Sequence, residues 1–212
     1  MADVKRRYDA SGRQRQSRER RRAVVVAAHE LFERDGFRAT TMAAVADRAG
    51  VSVKGLYKAF GSKASLAKAV FDLAIAGDDE SVSVADRPEQ QAMFAEPDVR
   101  RKIEMFVHGL AQRQQRSAKV LILIRDGRHV DDSLIPVWQQ LNDEGLTGME
   151  MLGRNLLATG RLRPGIEVDE VRDVLWIYLA IDIYERLVLE RGWTLDRYAD
   201  WMTRTVIAAI CP

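Results

Sequence analysis

From Val24 to Leu73 apolar residues recur at intervals of three and four and never alternate, so this stretch buries them as helices rather than strands. The punctuation narrows the fold further. Val24, Val25, Ala28, Leu31 and Phe32 mark one helix face, stopped by Asp35-Gly36. Met42, Val45, Ala46 and Ala49 mark a second, which Thr41 can cap and which Gly50 ends by supplying the left-handed turn residue. Val53, Leu56 and Phe60 mark a third, capped by Ser52 and ended by Gly61. Ser62 caps a fourth, with Leu66, Ala69, Val70, Leu73 and Ala74 inward.

The flanks are different. Residues 1–16 are rich in Arg, Gln, Asp and Ser and almost devoid of apolar side chains, which predicts a disordered arm. Ser17 is a fair N-cap for the first helix, with Glu19 in the first turn where the helix dipole favours an anion. Gly77, two Asp, Pro88 and Pro97 predict a linker over 77–98. Helical periodicity then returns near 98–114, 117–126, 133–158, 168–191 and 194–210, with a loop from Gly160 to Gly165. The expected architecture is all-α: a basic arm at 1–17, a unit of short helices at 18–78, and a larger helical unit at 79–212.

Charge divides the chain at the same place. The formal net charge is +2, but residues 1–77 hold sixteen Lys and Arg against eight Asp and Glu, while the remainder carries a net −6. A basic unit joined to an acidic one predicts that the first meets a polyanion, nucleic acid before membrane, and the second does not. The 47% hydrophobic and 30% charged residues are those of a soluble chain with a real core. The single cysteine, Cys211, excludes an intramolecular disulfide and fits a reducing cytoplasm. The longest apolar runs, such as Leu175 to Ile181, fall far below the roughly 18–20 residues of a membrane span. The polar N-terminus has no apolar region behind it, so no signal peptide is expected.

Catalysis finds little support. His29, His108 and His129 show no metal-ligand spacing, and Asp131-Asp132 beside His129 reads as a loop and helix cap. There is no phosphate-cradling glycine loop and no nucleophile elbow, and Cys211 is a poor nucleophile. The expectation is a protein that is not an enzyme and carries no metal or cofactor.

The spacing from Thr41 to Phe60 is that of a helix-turn-helix, in which the first helix crosses the DNA backbone and the second lies in the major groove. The reading residues then lie near the start of the second helix, at Val53, Lys54 and Gly55. Tyr57 and Lys58 lie one turn on, where a hydroxyl and an ammonium reach phosphates. The string Gly36-Phe37, Thr40-Thr41, Val45-Ala46, Ala49-Gly50-Val51-Ser52, Leu56-Tyr57, Phe60 and Ser62-Lys63 followed by Leu66 resembles the DNA-binding domain of the TetR (tetracycline-repressor-like) family of bacterial transcription regulators. The likeness covers about residues 18–78.

The resemblance implies that Thr41, Ser52, Tyr57 and Lys63 contact phosphates and fix register without reading sequence. Lys63 lies at the start of the fourth helix, whose exposed N–H groups also favour an anion. Lys54 would hydrogen-bond guanine O6 or N7, Val53 would touch a thymine methyl, and Gly55 would let the helix approach closely. The family often has a Lys-Gly pair directly after the Ser; here Val53 intervenes and the pair is Lys54-Gly55. The Arg-rich run from Arg13 to Arg22 reads either as an arm along the minor groove or as a solubilising tail.

In the acidic unit, Leu195, Tyr198, Ala199, Met202, Val206, Ala209 and Ile210 keep helical spacing, and the preceding helix is apolar on nearly every side through Leu175–Ile181. A helix apolar all round is buried, which predicts a homodimer through the two C-terminal helices; the resemblance implies the same bundle. A two-fold dimer would place two recognition helices one DNA turn apart, roughly 34–36 Å, on a palindromic operator of double-stranded DNA. Met105, Phe106, Trp138, Met149, Met151, Trp176, Tyr178 and Tyr184 are either ordinary core or the lining of a pocket for a small apolar or amphipathic effector. Asp182, a carboxylate in an apolar helix, pairs with Arg186 at i+4, pairs across the dimer, or anchors a cationic ligand.

These readings converge on a helix-turn-helix DNA-binding unit followed by a helical ligand-binding and dimerisation domain: a cytoplasmic, ligand-responsive transcription regulator, expected to repress. Two alternatives remain at this level. One is a regulator with a solid core and no ligand; the other is a small helical carrier or enzyme with a vestigial DNA-binding unit.

Overall fold

The computed structural model describes the backbone of residues 2–77 and 87–212, and all the regular structure described is helical. Ten α-helices follow in order: α1 (Ala2–Ala39), α2 (Met42–Arg48), α3 (Val53–Phe60), α4 (Lys63–Ala76), α5 (Pro88–Ala95), α6 (Val99–Gly127), α7 (Ile135–Leu157), α8 (Val168–Leu179), α9 (Ile181–Tyr184) and α10 (Leu195–Ile210). Among the described residues, no helix is long and apolar enough to cross a membrane. Nor does any group of three or more His, Cys, Asp or Glu among them form a candidate metal site.

The expected starts of the short helices are all present. Thr41, Ser52 and Ser62 each accept a hydrogen bond from the backbone N–H three residues on, at 3.1, 3.0 and 3.0 Å. Gly50 and Gly61 turn the chain with φ of 65° and 75°, a region that side-chain-bearing residues rarely enter. The helical geometry of α1 is interrupted at Gly36, where the sequence places its end.

Several expectations are corrected. Residues 2–16 are not a separate disordered arm but continue α1 backward, so Ser17 caps nothing. The run is rich in Arg and Gln, which are good helix formers, and Arg15 lies 4.0 Å from Glu19 one turn on. The stretch 77–98 is not all linker: Pro88 opens α5, which seats Met93 in the core; residues 78–86 lie outside the described part. The two helices expected over 98–126 are one, because Ser117 donates back to the Arg113 carbonyl at 2.8 Å instead of capping a new start. The helix expected over 168–191 breaks at Ala180, whose ψ of 129° is extended, and resumes as α9 and a π-helical segment, Glu185–Glu190.

Two cores meet along α6. At about 1.5 Å per residue its 29 residues span about 43 Å. Ile103, Phe106, Val107, Leu110 and Ala111 pack with α7, α8 and α10, whereas Val120 and Ile124 complete the core of α1–α4. The basic unit is thus finished by a helix of the acidic one. Side chains tie the joint. Arg116 donates to the Ala74 and Ile75 carbonyls at the end of α4, both at 3.1 Å, and Lys68 bridges Asp72 at 2.8 Å and Glu144 of α7 at 3.0 Å.

Candidate nucleic-acid interface and internal cavity

The second helix of the helix-turn-helix, α3, turns Leu56 and Phe60 into the core and leaves Val53, Lys54, Gly55, Tyr57 and Lys58 in solvent. Val53 is 41% exposed and Tyr57 50%, large side chains left wet on a unit whose other apolar residues are mostly packed. Thr41 and Ser52 are exposed at the starts of α2 and α3. Each hydroxyl oxygen accepts its cap bond and still has an O–H to donate outward. Gly55 serves that cap as well: a Cβ there would lie 3.0 Å from Ser52 Oγ.

Lys63 is placed differently from its expected role. Its ammonium donates to the carbonyls of Phe37 at 2.7 Å and Thr40 at 3.0 Å, with that of Arg38 at 3.5 Å, and it sits 4.3 Å from the centre of the Phe37 ring. Burial lowers its pKa. Its hydrogens are engaged in fastening α4 to the corner between α1 and α2, so in this conformation it holds the frame rather than reaching outward. The N-terminal position on α4 is the one the sequence indicated; the partners come from 23 to 26 residues away and leave no local signal.

Sequence reasoning also missed Arg21. Its guanidinium lies 4.3 Å over the Phe60 ring and donates to the Ala59 carbonyl at 3.1 Å, so α1 closes the C-terminal end of α3. Arg48 of α2 pairs with Glu30 of α1. The recognition helix is thereby fixed at both ends and on its inner face.

Behind this unit lies a cavity of about 1290 Å³, walled by faces of α1 and α4–α9. Of the aromatic and methionine residues singled out above, Phe106, Trp138, Met149, Met151 and Trp176 line it; Met105, Tyr178 and Tyr184 do not. Tyr184 instead packs edge-on against Tyr198, centroids 5.4 Å apart, inside the core. The Tyr198 hydroxyl donates to Gln114 Oε1 at 3.0 Å, and Gln114 Nε2 donates to the Leu179 carbonyl at 3.3 Å, where α8 breaks. Desolvation raises the Tyr198 pKa well above the usual phenol range.

Asp182 borders the cavity, and its partner is not Arg186. It accepts from Arg125 Nη1 of α6 at 3.0 Å, and Arg125 also reaches Asp126 at 2.8 Å and Glu185 at 2.7 Å. The break at Ala180 rotates α9 and carries Asp182 toward α6, which the i+4 rule for an unbroken helix does not anticipate. Arg113, also in the wall, carried no signal in the sequence beyond its spacing from Phe106 and Leu110 along one face of α6.

Residues 24–70 match the family model of bacterial regulatory proteins of the tetR family. No curated protein shows significant sequence similarity to the chain. Solved structures resemble it along most of its length. A Rhodococcus sp. protein assigned to the TetR family of transcriptional regulators aligns with a TM-score of 0.69 at 15% identity, over 90% of this chain and 98% of its own. NalD, the secondary repressor of the MexAB-OprM multidrug efflux pump in Pseudomonas aeruginosa, aligns with a TM-score of 0.63 at 21% identity, over 92% and 98%. The regulator FadR from Bacillus subtilis, in complex with stearoyl-CoA, aligns with a TM-score of 0.69 at 13% identity, over 88% and 97%. At these identities the likeness is one of fold. Residues 24–70 thus form a DNA-binding domain of the tetR family of bacterial regulatory proteins, joined here to a helical C-terminal unit.

Proposed function

We propose that the protein is a homodimeric, ligand-responsive repressor that reads a palindromic operator. One observation carries the DNA-reading part: α3 is fastened at both ends while Val53, Lys54, Gly55, Tyr57 and Lys58 stay exposed along one side. In this reading Lys54 and Val53 contact base edges in the major groove, and Thr41, Ser52, Tyr57 and Lys58 hold phosphates. Lys63 keeps the corner that aims α3. The basic run of α1 adds electrostatic attraction that does not depend on sequence.

The effector part rests on the cavity. Helix α4 begins directly after α3 and lends Ala69, Phe71 and Ile75 to the cavity wall, so one helix bears on both sites. A ligand that fits one placement of α4 and α6 better than another shifts the spacing of the two recognition helices, by no more than its difference in affinity for the two states. The FadR neighbour holds stearoyl-CoA, a precedent on this fold for a large amphipathic occupant. The solid-core alternative is disfavoured by a void larger than the ~300–1,000 Å³ of most ligand sites.

Dimerisation rests on what remains outside. The inner stripe of α10, Tyr198, Met202, Val206 and Ile210, is spent within the protomer. Trp201 of α10 stays half-buried, between Tyr178 of α8 and Trp193. These outer faces are the surface offered to a second copy.

The deciding experiment selects bound sequences from a random duplex pool at physiological salt. One palindrome with half-sites about a turn apart is expected, together with a dimer mass by light scattering. Recovery of only sequence-independent, salt-sensitive binding overturns the reading and favours the vestigial alternative.

A further inference from the structure

The cavity wall contains a half-buried cation, Arg113, that nothing in the described protein answers. Most of the other polar groups there are engaged, and Arg18, which also makes no ion pair among the described residues, is exposed to solvent. Gln114 is bonded at both ends of its amide, Ser117 donates to a backbone carbonyl, Lys68 pairs with two carboxylates, and Asp182 pairs with Arg125. Arg21 holds the end of α3. Arg113 differs: among the described residues its guanidinium makes no hydrogen bond and no ion pair. Burial, reinforced by the charge of Arg116, lowers its pKa to about 10, so it remains a cation at neutral pH.

The fold makes room for this group. One turn earlier on α6 stands Gly109, where a Cβ would lie 3.0 Å from Arg113 Nη1. The cavity wall it belongs to is largely apolar, with Phe106, Leu110, Trp138 and Leu152 among its residues. A buried charge without a partner is costly unless something supplies the counter-charge. A guanidinium fork is matched to the two oxygens of a carboxylate or the several of a phosphate.

We propose that Arg113 is the anion anchor of this cavity, and that its occupant is an amphipath with a carboxylate or phosphate head on the guanidinium and an apolar body along Phe106, Leu110, Trp138 and Leu152. This deepens the effector reading above and rests on it for biological meaning, but the binding chemistry is testable without DNA.

The test is calorimetric titration of the full-length protein with dodecanoate, dodecyl phosphate, dodecanol and dodecyltrimethylammonium, each below its aggregation concentration. At least one anion is expected to bind about tenfold or more tightly than the alcohol, and the cation more weakly than both. Comparison of the two anions identifies the head group. Arg113→Met is expected to abolish the difference between anion and alcohol while leaving dodecanol binding in place. It is also expected to melt no lower than the parent, since it exchanges an unpaired charge for an apolar side chain in an apolar wall. Arg113→Lys keeps the charge but loses the fork, and should recover only part of the difference.

Equal binding of anion and alcohol, a preference for the cation, an anion preference that survives Arg113→Met, or binding of none of the four overturns the proposal. Operator affinity measured with and without the bound anion separates the two claims. An anion that binds through Arg113 yet leaves operator affinity unchanged sustains the anchor and removes the effector role.

Discussion

The two ends of α6 look onto different interiors. At its C-terminal end, Val120 and Ile124 close a core in which Val45, Leu66 and Ala67 are fully buried, and the flanking helices are capped by Thr41, Ser52 and Ser62. Toward its N-terminal end, α6 presents Phe106, Leu110, Arg113 and Gln114 to a cavity of about 1290 Å³, beside a helix that breaks at Ala180 and a π-helical segment at Glu185–Glu190. Under the proposed function α3 reads bases and needs fixed geometry, which fits the dense packing behind it and its fastened ends. The cavity region, under the same proposal, senses and needs alternatives, which fits its empty volume, its irregular helix and a charge with no partner among the described residues.

The contrast can be broken by truncating each interior. Leu66→Ala, in the filled core, should cost about 2–5 kcal/mol, because it loses transfer free energy and leaves a new hole. Leu110→Ala, on the cavity wall, merely enlarges space already present and should cost less than half as much. Urea denaturation of both variants checks this, and equal losses would show that the cavity is collapsed in solution. Lys54→Ala should reduce discrimination at one operator position by about 1–3 kcal/mol, read from binding to single-base operator variants. Lys58→Ala should weaken all sequences alike and flatten the salt slope by about one.

Ser52→Ala removes the cap of α3 and should cost about 1 kcal/mol of stability, with a parallel loss of operator affinity and unchanged ligand binding. The smallest effect concerns the clasp between α6 and α9. Hydrogen bonding to Arg125 holds the Asp126 carboxyl below the usual carboxylate range, so the folded state favours the ionised form. That contribution is complete above the ordinary carboxylate pKa and is lost as pH falls through the lowered folded value. Asp126 is mostly exposed, so Asp126→Asn should change the acid limb of the stability–pH curve by no more than a few tenths of a kcal/mol, read by thermal melts across acid pH.

The DNA-reading unit was legible because its determinants are local. A Ser or Thr before an apolar run, a glycine with positive φ after it, and a period of three or four all act within one turn of helix, so Thr41, Gly50, Ser52 and Gly61 could be placed from the sequence. The break at Ala180 was not legible, since Leu175–Ile181 carries neither Gly nor Pro and the Leu179 carbonyl it exposes is satisfied by Gln114, 65 residues away. Residues 2–16 went the other way: their composition marked a disordered arm, yet their helix-forming side chains extend α1.

By itself, then, the sequence determined an all-α chain, the order of its short N-terminal helices and the basic–acidic division, because each follows from periodicity, capping or composition, whereas its apolar spacing set Val53 on the inner face of α3, where the structure leaves it exposed. Only the tertiary structure decided that α6 serves both cores, that Lys63 and Arg21 brace α3 and its neighbours, that Asp182 pairs with Arg125, and that Arg113 faces a cavity with no partner among the described residues. Those outcomes depend on which side chains distant in the chain become neighbours, and hence on which charges are answered and which are left open.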